Sequence, residues 1–169
     1  TETTGLDPFH DELLQVSIID EEGNVLFDSY FKPIRHTDWW EAESVNGISP
    51  EMVADAPYIN EKAAELYAIL SQAHWIIGYN VDFDLRFLMG SDIITDEEYN
   101  AFRTEDVMIQ FAEIYGEYSV YHEDYKWQKL TTAAAYYDYD WNVKGIEAHN
   151  SLADCFATLF VYHKILSGE

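Results

Sequence analysis

Glu2, Asp84 and Asp154 are carboxylates in three short segments far apart in the chain, and His149 stands five residues before the last of them. The segments read Thr1-Glu2-Thr3-Thr4-Gly5-Leu6-Asp7-Pro8, Asn80-Val81-Asp82-Phe83-Asp84-Leu85-Arg86-Phe87-Leu88, and His149-Asn150-Ser151-Leu152-Ala153-Asp154. Hard divalent cations such as Mg²⁺ take oxygen ligands, and a two-metal site needs several carboxylates to offset the ions' charge. A neutral imidazole beside such a site is suited to take a proton from water. Together these residue types point to metal-dependent phosphoester hydrolysis.

Each residue alone has a plainer reading. Glu2 could be an exposed acid at a strand-ending turn, with Gly5 supplying turn chemistry. Gly5 equally allows a close approach of backbone to ligand, with Leu6 beneath a terminal base. Asp84 could be an acid stabilised by the first turn of a helix, a role open to Asp82 as well. Ser151-Leu152-Ala153-Asp154 matches a capping box, with Ser151 as N-cap and Asp154 at the third helical position. His149 must lie in the loop before that helix to approach Asp154, because five helical residues would turn the two side chains about 140° apart. The remaining histidines, His10, His36, His74, His122 and His163, show no zinc-like spacing.

The elements that would position these residues alternate along the chain. Leu14, Val16 and Ile18, alternating with Gln15 and Ser17, predict a half-buried strand. Asp20 to Asn24 supply a turn, and Val25-Leu26-Phe27 begin a returning strand. Ser49-Pro50-Glu51-Met52 reads as a helix start. A helix from about Glu61 to Ala73 would bury Ala63, Leu66, Tyr67 and Leu70. Trp75 to Tyr79 reads as a buried strand running into Asn80, with a helix directly after. Asp106 can cap a helix carrying Met108, Phe111 and Ile114. A last helix starts near Ser151 and presents Leu152, Phe156, Leu159 and Phe160. The Tyr- and Trp-rich stretch from Tyr115 to Trp141 is expected to pack under a long loop rather than stack on bases. The pattern predicts an α/β fold with a mixed central sheet flanked by helices.

Composition narrows the partners. Thirty-two acids against nine bases give a formal charge of −23, so no large basic stripe for long duplex nucleic acid is available. Short or end-only contact with nucleic acid fits better, and an acidic field attracts divalent cations. No apolar run is long enough for a transmembrane helix, and no membrane partner is expected. Cys155 is the only cysteine, which excludes an intrachain disulfide and fits a cytoplasmic location.

Taken in order, the segments resemble the motifs of the DnaQ-like 3′–5′ exonucleases of the DEDDh group, which includes proofreading epsilon subunits of bacterial DNA polymerase III. Asn46-Gly47-Ile48-Ser49-Pro50-Glu51-Met52-Val53 is similar to a family segment near the bound nucleotide. The resemblance covers nearly the whole chain, and four motifs in order are specific where one would be weak. A sister group has tyrosine four residues before the last acid, where this chain has Asn150. The family's first motif begins Asp-x-Glu, so an Asp and its strand are expected immediately upstream of Thr1. The 169 residues are therefore read as a single exonuclease domain lacking its N-terminal first strand.

The resemblance implies a ribonuclease H-like fold and two Mg²⁺ or Mn²⁺ ions held by Glu2, Asp84, Asp154 and the upstream Asp. It implies that His149 takes the proton of the attacking water, and that Thr3, Gly5, Leu6, Asn46, Asn80 and Phe83 contact substrate. The expected reaction is release of nucleoside 5′-monophosphates from 3′ ends of single-stranded DNA or RNA, with a DNA polymerase subunit as a conceivable partner. Two alternatives stay open at this point: an oligoribonuclease-like activity on short RNA, and a catalytically silent polymerase-binding module.

Overall fold

A computed structural model describes residues 1–121, 123–141 and 150–168. In chain order the elements are β1 (Glu2–Thr3), β2 (Leu13–Ile19), β3 (Val25–Tyr30), α1 (Trp40–Asn46), α2 (Ile59–Leu70), β4 (Ile76–Gly78) and α3 (Val81–Gly90). They continue with α4 (Asp96–Ala101), β5 (Thr104–Asp106), α5 (Val107–Tyr115), β6 (Tyr118–Ser119), β7 (Asp124–Tyr125), α6 (Leu130–Tyr136) and α7 (Ser151–Ser167).

The predicted hairpin is present. Asp20 accepts the N–H groups of Glu22 and Asn24 in the turn, and β2 pairs antiparallel with β3. On the other edge of β2 the short β1 adds a third antiparallel strand, with a bulge between Glu2 and Thr3. Bulges re-aim side chains, and they recur beside active sites. β4 and β5 form a parallel pair. The expected mixed sheet thus appears as a three-stranded antiparallel sheet, β1-β2-β3, and the β4–β5 pair, not joined by strand pairing among the described residues, with β6 and β7 forming a further antiparallel pair. Contact from the β1 side to α3 is made by the Thr1 hydroxyl, which donates to Asp84.

The main core gathers Leu13, Val16, Phe27 and Phe31 of the hairpin against Leu66 and Leu70 of α2 and Leu85, Phe87 and Leu88 of α3. A second cluster joins Leu14 to Trp39, Ile48 and Val53, and a third joins Val107 and Phe111 to Ala133 and Val161.

β2 is covered on both faces, not half-buried as its alternation suggests. Gln15 is 1% exposed and Ser17 is nearly as buried, because α7 lies on their face and supplies polar partners. α7 meets the sheet through small residues, Ser151, Ala153, Ala157 and Thr158, while Leu152, Phe156, Leu159 and Phe160 are only partly buried. Small side chains let helix and strand backbones approach closely enough for those polar contacts.

Four other expectations need correction. Residues 49–56 form successive turns rather than a helix, with the N–H of Met52, Ala54 and Ala56 bonded to carbonyls three residues back. Pro57 disfavours helical geometry at Ala56, leaving too short a stretch to nucleate. α2 starts at Ile59, and its Tyr67 is exposed. Trp75 and Ile77 of the predicted buried strand are exposed, as is Ile114 of α5. In the aromatic stretch, Tyr136 and Tyr137 pack around Phe111, but Tyr118, Tyr121 and Trp127 lie on the surface.

Candidate active site

α3 begins where β4 ends. Asn80 takes the left-handed conformation at φ 67°, which asparagine tolerates better than most residues, and the chain turns directly into the helix. Its N–H donates to the Asp106 carboxylate at 3.0 Å, and the same oxygen accepts the N–H of Met108 at 2.9 Å. Asp106 therefore caps α5 as predicted and also fixes the start of α3.

That start decides which acid faces inward. Positions two apart on a helix point about 200° apart. Asp82 lies outside, in an ion pair with Arg86 at 2.7 Å and accepting the Tyr99 hydroxyl. Asp84 turns toward β1, where its Oδ1 accepts the Thr1 hydroxyl at 2.7 Å and the Thr1 ammonium at 3.0 Å. Both acids stand in the first turn of α3, as in the plainer reading, and they face different surroundings.

α7 corrects the expected cap. Asn150, not Ser151, is the N-cap, and its Oδ1 accepts the N–H groups of Leu152 and Ala153. Its backbone carbonyl accepts the N–H of Asp154, and the Gln15 side chain accepts that of Ser151. Every N–H of the first turn thus has an acceptor other than the Asp154 carboxylate. Ser151 is drawn into the core by a hydrogen bond between its hydroxyl and that of Ser17.

Glu2, Asp84 and Asp154 come from a strand and two helices into one electrostatic neighbourhood. The Glu2 carboxyl is pushed up to about 8, first by burial and then by Asp154 and Asp84, against the opposing pull of the Thr1 ammonium. Burial works against the charge on that ammonium, but Asp84 holds its pKa up at about 10. The neighbouring Cys155 thiol is pushed up to about 12 by burial, with Asp84 and Asp154 adding to the shift.

Three carboxylates are the donor type that a hard divalent cation takes, and burial above all keeps a proton on Glu2. Among the described residues, no three His, Cys, Asp or Glu side chains have donor atoms gathered closely enough to hold an ion in this conformation.

Other expected residues have definite places. Asn46, at the end of α1, donates from Nδ2 to the Thr3 carbonyl at 3.2 Å, joining the second candidate substrate segment to the first motif. The Thr3 hydroxyl donates to the Gly5 carbonyl at 2.6 Å. A Cβ on Gly5 would lie 2.3 Å from Asp11 Oδ2, so the Asp11 carboxylate would have to move to admit one. Leu6 is 83% exposed beside this loop. Phe83 leans on Phe87 at 4.8 Å between ring centroids and borders the main core. His149 lies outside the described residues.

Sequence reasoning passed over the clamp that holds the first-motif loop. Glu12 accepts the N–H groups of Ile34, Arg35 and His36 and bonds the His36 ring at 2.8 Å. Burial opposes its charge, but the His36 contact and the three N–H groups hold its carboxyl below the usual range. No spacing in the sequence signals this, because its partners stand more than twenty residues away.

The exonuclease family model RNase_T matches residues 1–162. An uncharacterized exonuclease, CP81, of Escherichia phage 186 is 31% identical over 174 residues, spanning 99% of this chain and 86% of the phage protein. Exonuclease X, solved in complex with 5′ overhanging duplex DNA, superposes with a TM-score of 0.64 at 18% identity, over 100% of this chain and 90% of its own. Escherichia coli exonuclease I, solved in complex with a dA16 oligonucleotide, superposes with a TM-score of 0.68 at 21% identity, over 99% of this chain and 39% of its own. The ribonuclease H-like α/β architecture expected from the sequence is therefore the fold observed.

Proposed function

The chain belongs to the exonuclease family, and from that premise we propose a metal-dependent 3′–5′ exonuclease that releases nucleoside 5′-monophosphates from single-stranded ends. The reading is supported by the family match over residues 1–162 and by the influence of Asp154 and Asp84 on the buried Glu2 carboxyl, whose proton affinity both raise.

The roles proposed are those that the family resemblance implies for these residues. Glu2, Asp84 and Asp154 would hold two Mg²⁺ or Mn²⁺ ions, which when bound supply charge stabilisation to the entering and leaving oxygens of an in-line displacement. His149, five residues before Asp154, takes the proton of the attacking water. Asn46 fixes the Thr3 carbonyl and so holds the backbone that follows Glu2. The exposed Leu6 offers an apolar surface to the terminal base, and Asn80 and Thr3 border the sugar and phosphate.

DNA is the favoured substrate, since both structural neighbours were solved with DNA. The net charge of −23 favours short single-stranded segments over long duplex. Among the described residues, no helix is long and apolar enough to cross a membrane.

The test uses a 5′-labelled single-stranded DNA, a 3′-labelled copy and a short RNA, each with Mg²⁺ or with chelator. A ladder from the 5′-labelled DNA and immediate loss of the 3′ label, both requiring metal, are expected. Preference for the RNA would move the assignment to an oligoribonuclease-like activity. Inertness toward all three would leave a binding module.

A further inference from the structure

Gln15 is a polar side chain at the centre of the sheet, 1% exposed, and both ends of its amide are engaged. Its backbone stands opposite Glu2 in the β1–β2 ladder and opposite Tyr30 in the β2–β3 ladder. Directly opposed residues of antiparallel strands project on the same face. Gln15 and Tyr30 therefore share the face beneath α7, and Glu2 is the backbone partner of Gln15 on the other edge of β2, beside the β1 bulge.

Gln15 and Tyr30 both contact the start of α7. Gln15 Oε1 accepts the N–H of Ser151 at 3.2 Å, while its Nε2 donates to Asp28 at 3.0 Å. Ser17 donates its one hydroxyl proton to Asp28 at 2.8 Å, so the Ser151 hydroxyl must donate to Ser17. Tyr30 Oη accepts from Asn150 Nδ2 at 3.2 Å. Asp28 thus orients the Gln15 amide so that its oxygen, not its nitrogen, meets the helix. An amide flipped the other way would set N–H against N–H.

We propose that Gln15 is a positioning residue that sets the separation of Glu2 and Asp154. One residue is paired by its backbone to the strand of the first acid and by its side chain to the helix turn of the other. Ser151 is three residues before Asp154, so a shift at this bond carries directly to the carboxylate. A buried N–H left without an acceptor costs enough to hold this contact closed. The inference rests on the metal-dependent reading of the site given above.

Gln15→Met keeps the length and removes the acceptor. Ser151→Pro removes the donor from the other end; proline is favoured at the first helical position, and Asn150 already has the extended backbone it requires. Ser17→Ala cuts hydroxyl bonds of the same network but leaves the Gln15–Ser151 bond in place. Mn²⁺ affinity is measured by calorimetry below each variant's melting midpoint, with kcat and KM on a single-stranded oligonucleotide alongside.

Both Gln15→Met and Ser151→Pro should weaken Mn²⁺ binding by about tenfold or more and lower kcat, with KM within about twofold. Ser17→Ala should lower the melting midpoint and leave Mn²⁺ affinity in place. Wild-type Mn²⁺ binding that is lost in Asp154→Asn establishes the site independently. Given that, a folded Gln15→Met or Ser151→Pro with unchanged Mn²⁺ affinity and kcat would overturn the positioning role, as would an equal loss of affinity in Ser17→Ala. A wild type that binds no Mn²⁺ would remove the metal reading itself.

Discussion

The Asp106 carboxylate accepts the backbone N–H of Asn80 at 3.0 Å, joining the carboxyl ends of the two parallel strands at the point where α3 departs. The same oxygen caps α5 through Met108. Replacing Asp106 by alanine removes a cap and a long-range hydrogen bond together. The expected loss is about 1–2 kcal/mol of stability. Because Asn80 starts the helix bearing Asp84, activity should fall further than the loss of folded protein explains. Chemical denaturation and kcat measured on one preparation would check both.

Glu2 titrates where few carboxylates do. Its carboxyl is held at about 8 in the native state, against an ordinary 4.5. The folded protein therefore binds a proton that the unfolded chain has released between those values. Its stabilising contribution is complete below about pH 4.5 and is lost as pH rises to about 8. Metal-free protein should lose stability across this window, and Glu2→Gln should flatten the dependence. Mn²⁺ binding at pH 7 should release close to one proton in the wild type, read by calorimetry in buffers of different ionisation enthalpy.

Much of this was legible in the sequence, for a physical reason. Motifs that carry chemistry depend on residue type and order, and the family that the segments around Glu2, Asp84 and Asp154 resemble is the one whose model matches residues 1–162. The hairpin at Asp20–Asn24 and the Asp106 cap are local, and local rules found them. What failed was set by partners distant in sequence. Ser151 has the pattern of an N-cap, but a hydroxyl on β2 claims it and Asn150 caps in its place. Gln15 and Ser17 look like the wet side of a strand until α7 covers them. Glu12 gives no local sign that three N–H groups from another loop meet it.

The two glycines that seat the first-motif loop should respond differently to alanine. At Gly5 the added Cβ meets only the Asp11 carboxylate, which can swing away. At Gly90 it would come within 1.9 Å of the Pro8 carbonyl, so backbone must move. Gly90→Ala should cost about 1–3 kcal/mol, the range for overpacking, and Gly5→Ala less. Adding Asp11→Ala to Gly5→Ala should recover part of the loss, while adding it to Gly90→Ala should not. Thermal melts of the five proteins would decide it.

His149→Ala should separate binding from turnover. Loss of a general base typically costs ~10²–10⁴-fold in rate. Mn²⁺ affinity should remain within a few-fold of wild type, since the carboxylates hold the ion. A variant that cleaves at the normal rate would remove the assigned role.

The most direct measurement is the rate of mononucleotide release from single-stranded DNA by Glu2→Gln, Asp84→Asn and Asp154→Asn, each shown to be folded. If the three acids form one catalytic centre, every one of these substitutions should lower kcat by about 10² or more, because each removes charge stabilisation of the transition state. A folded variant among them that degrades DNA at the wild-type rate would contradict the account.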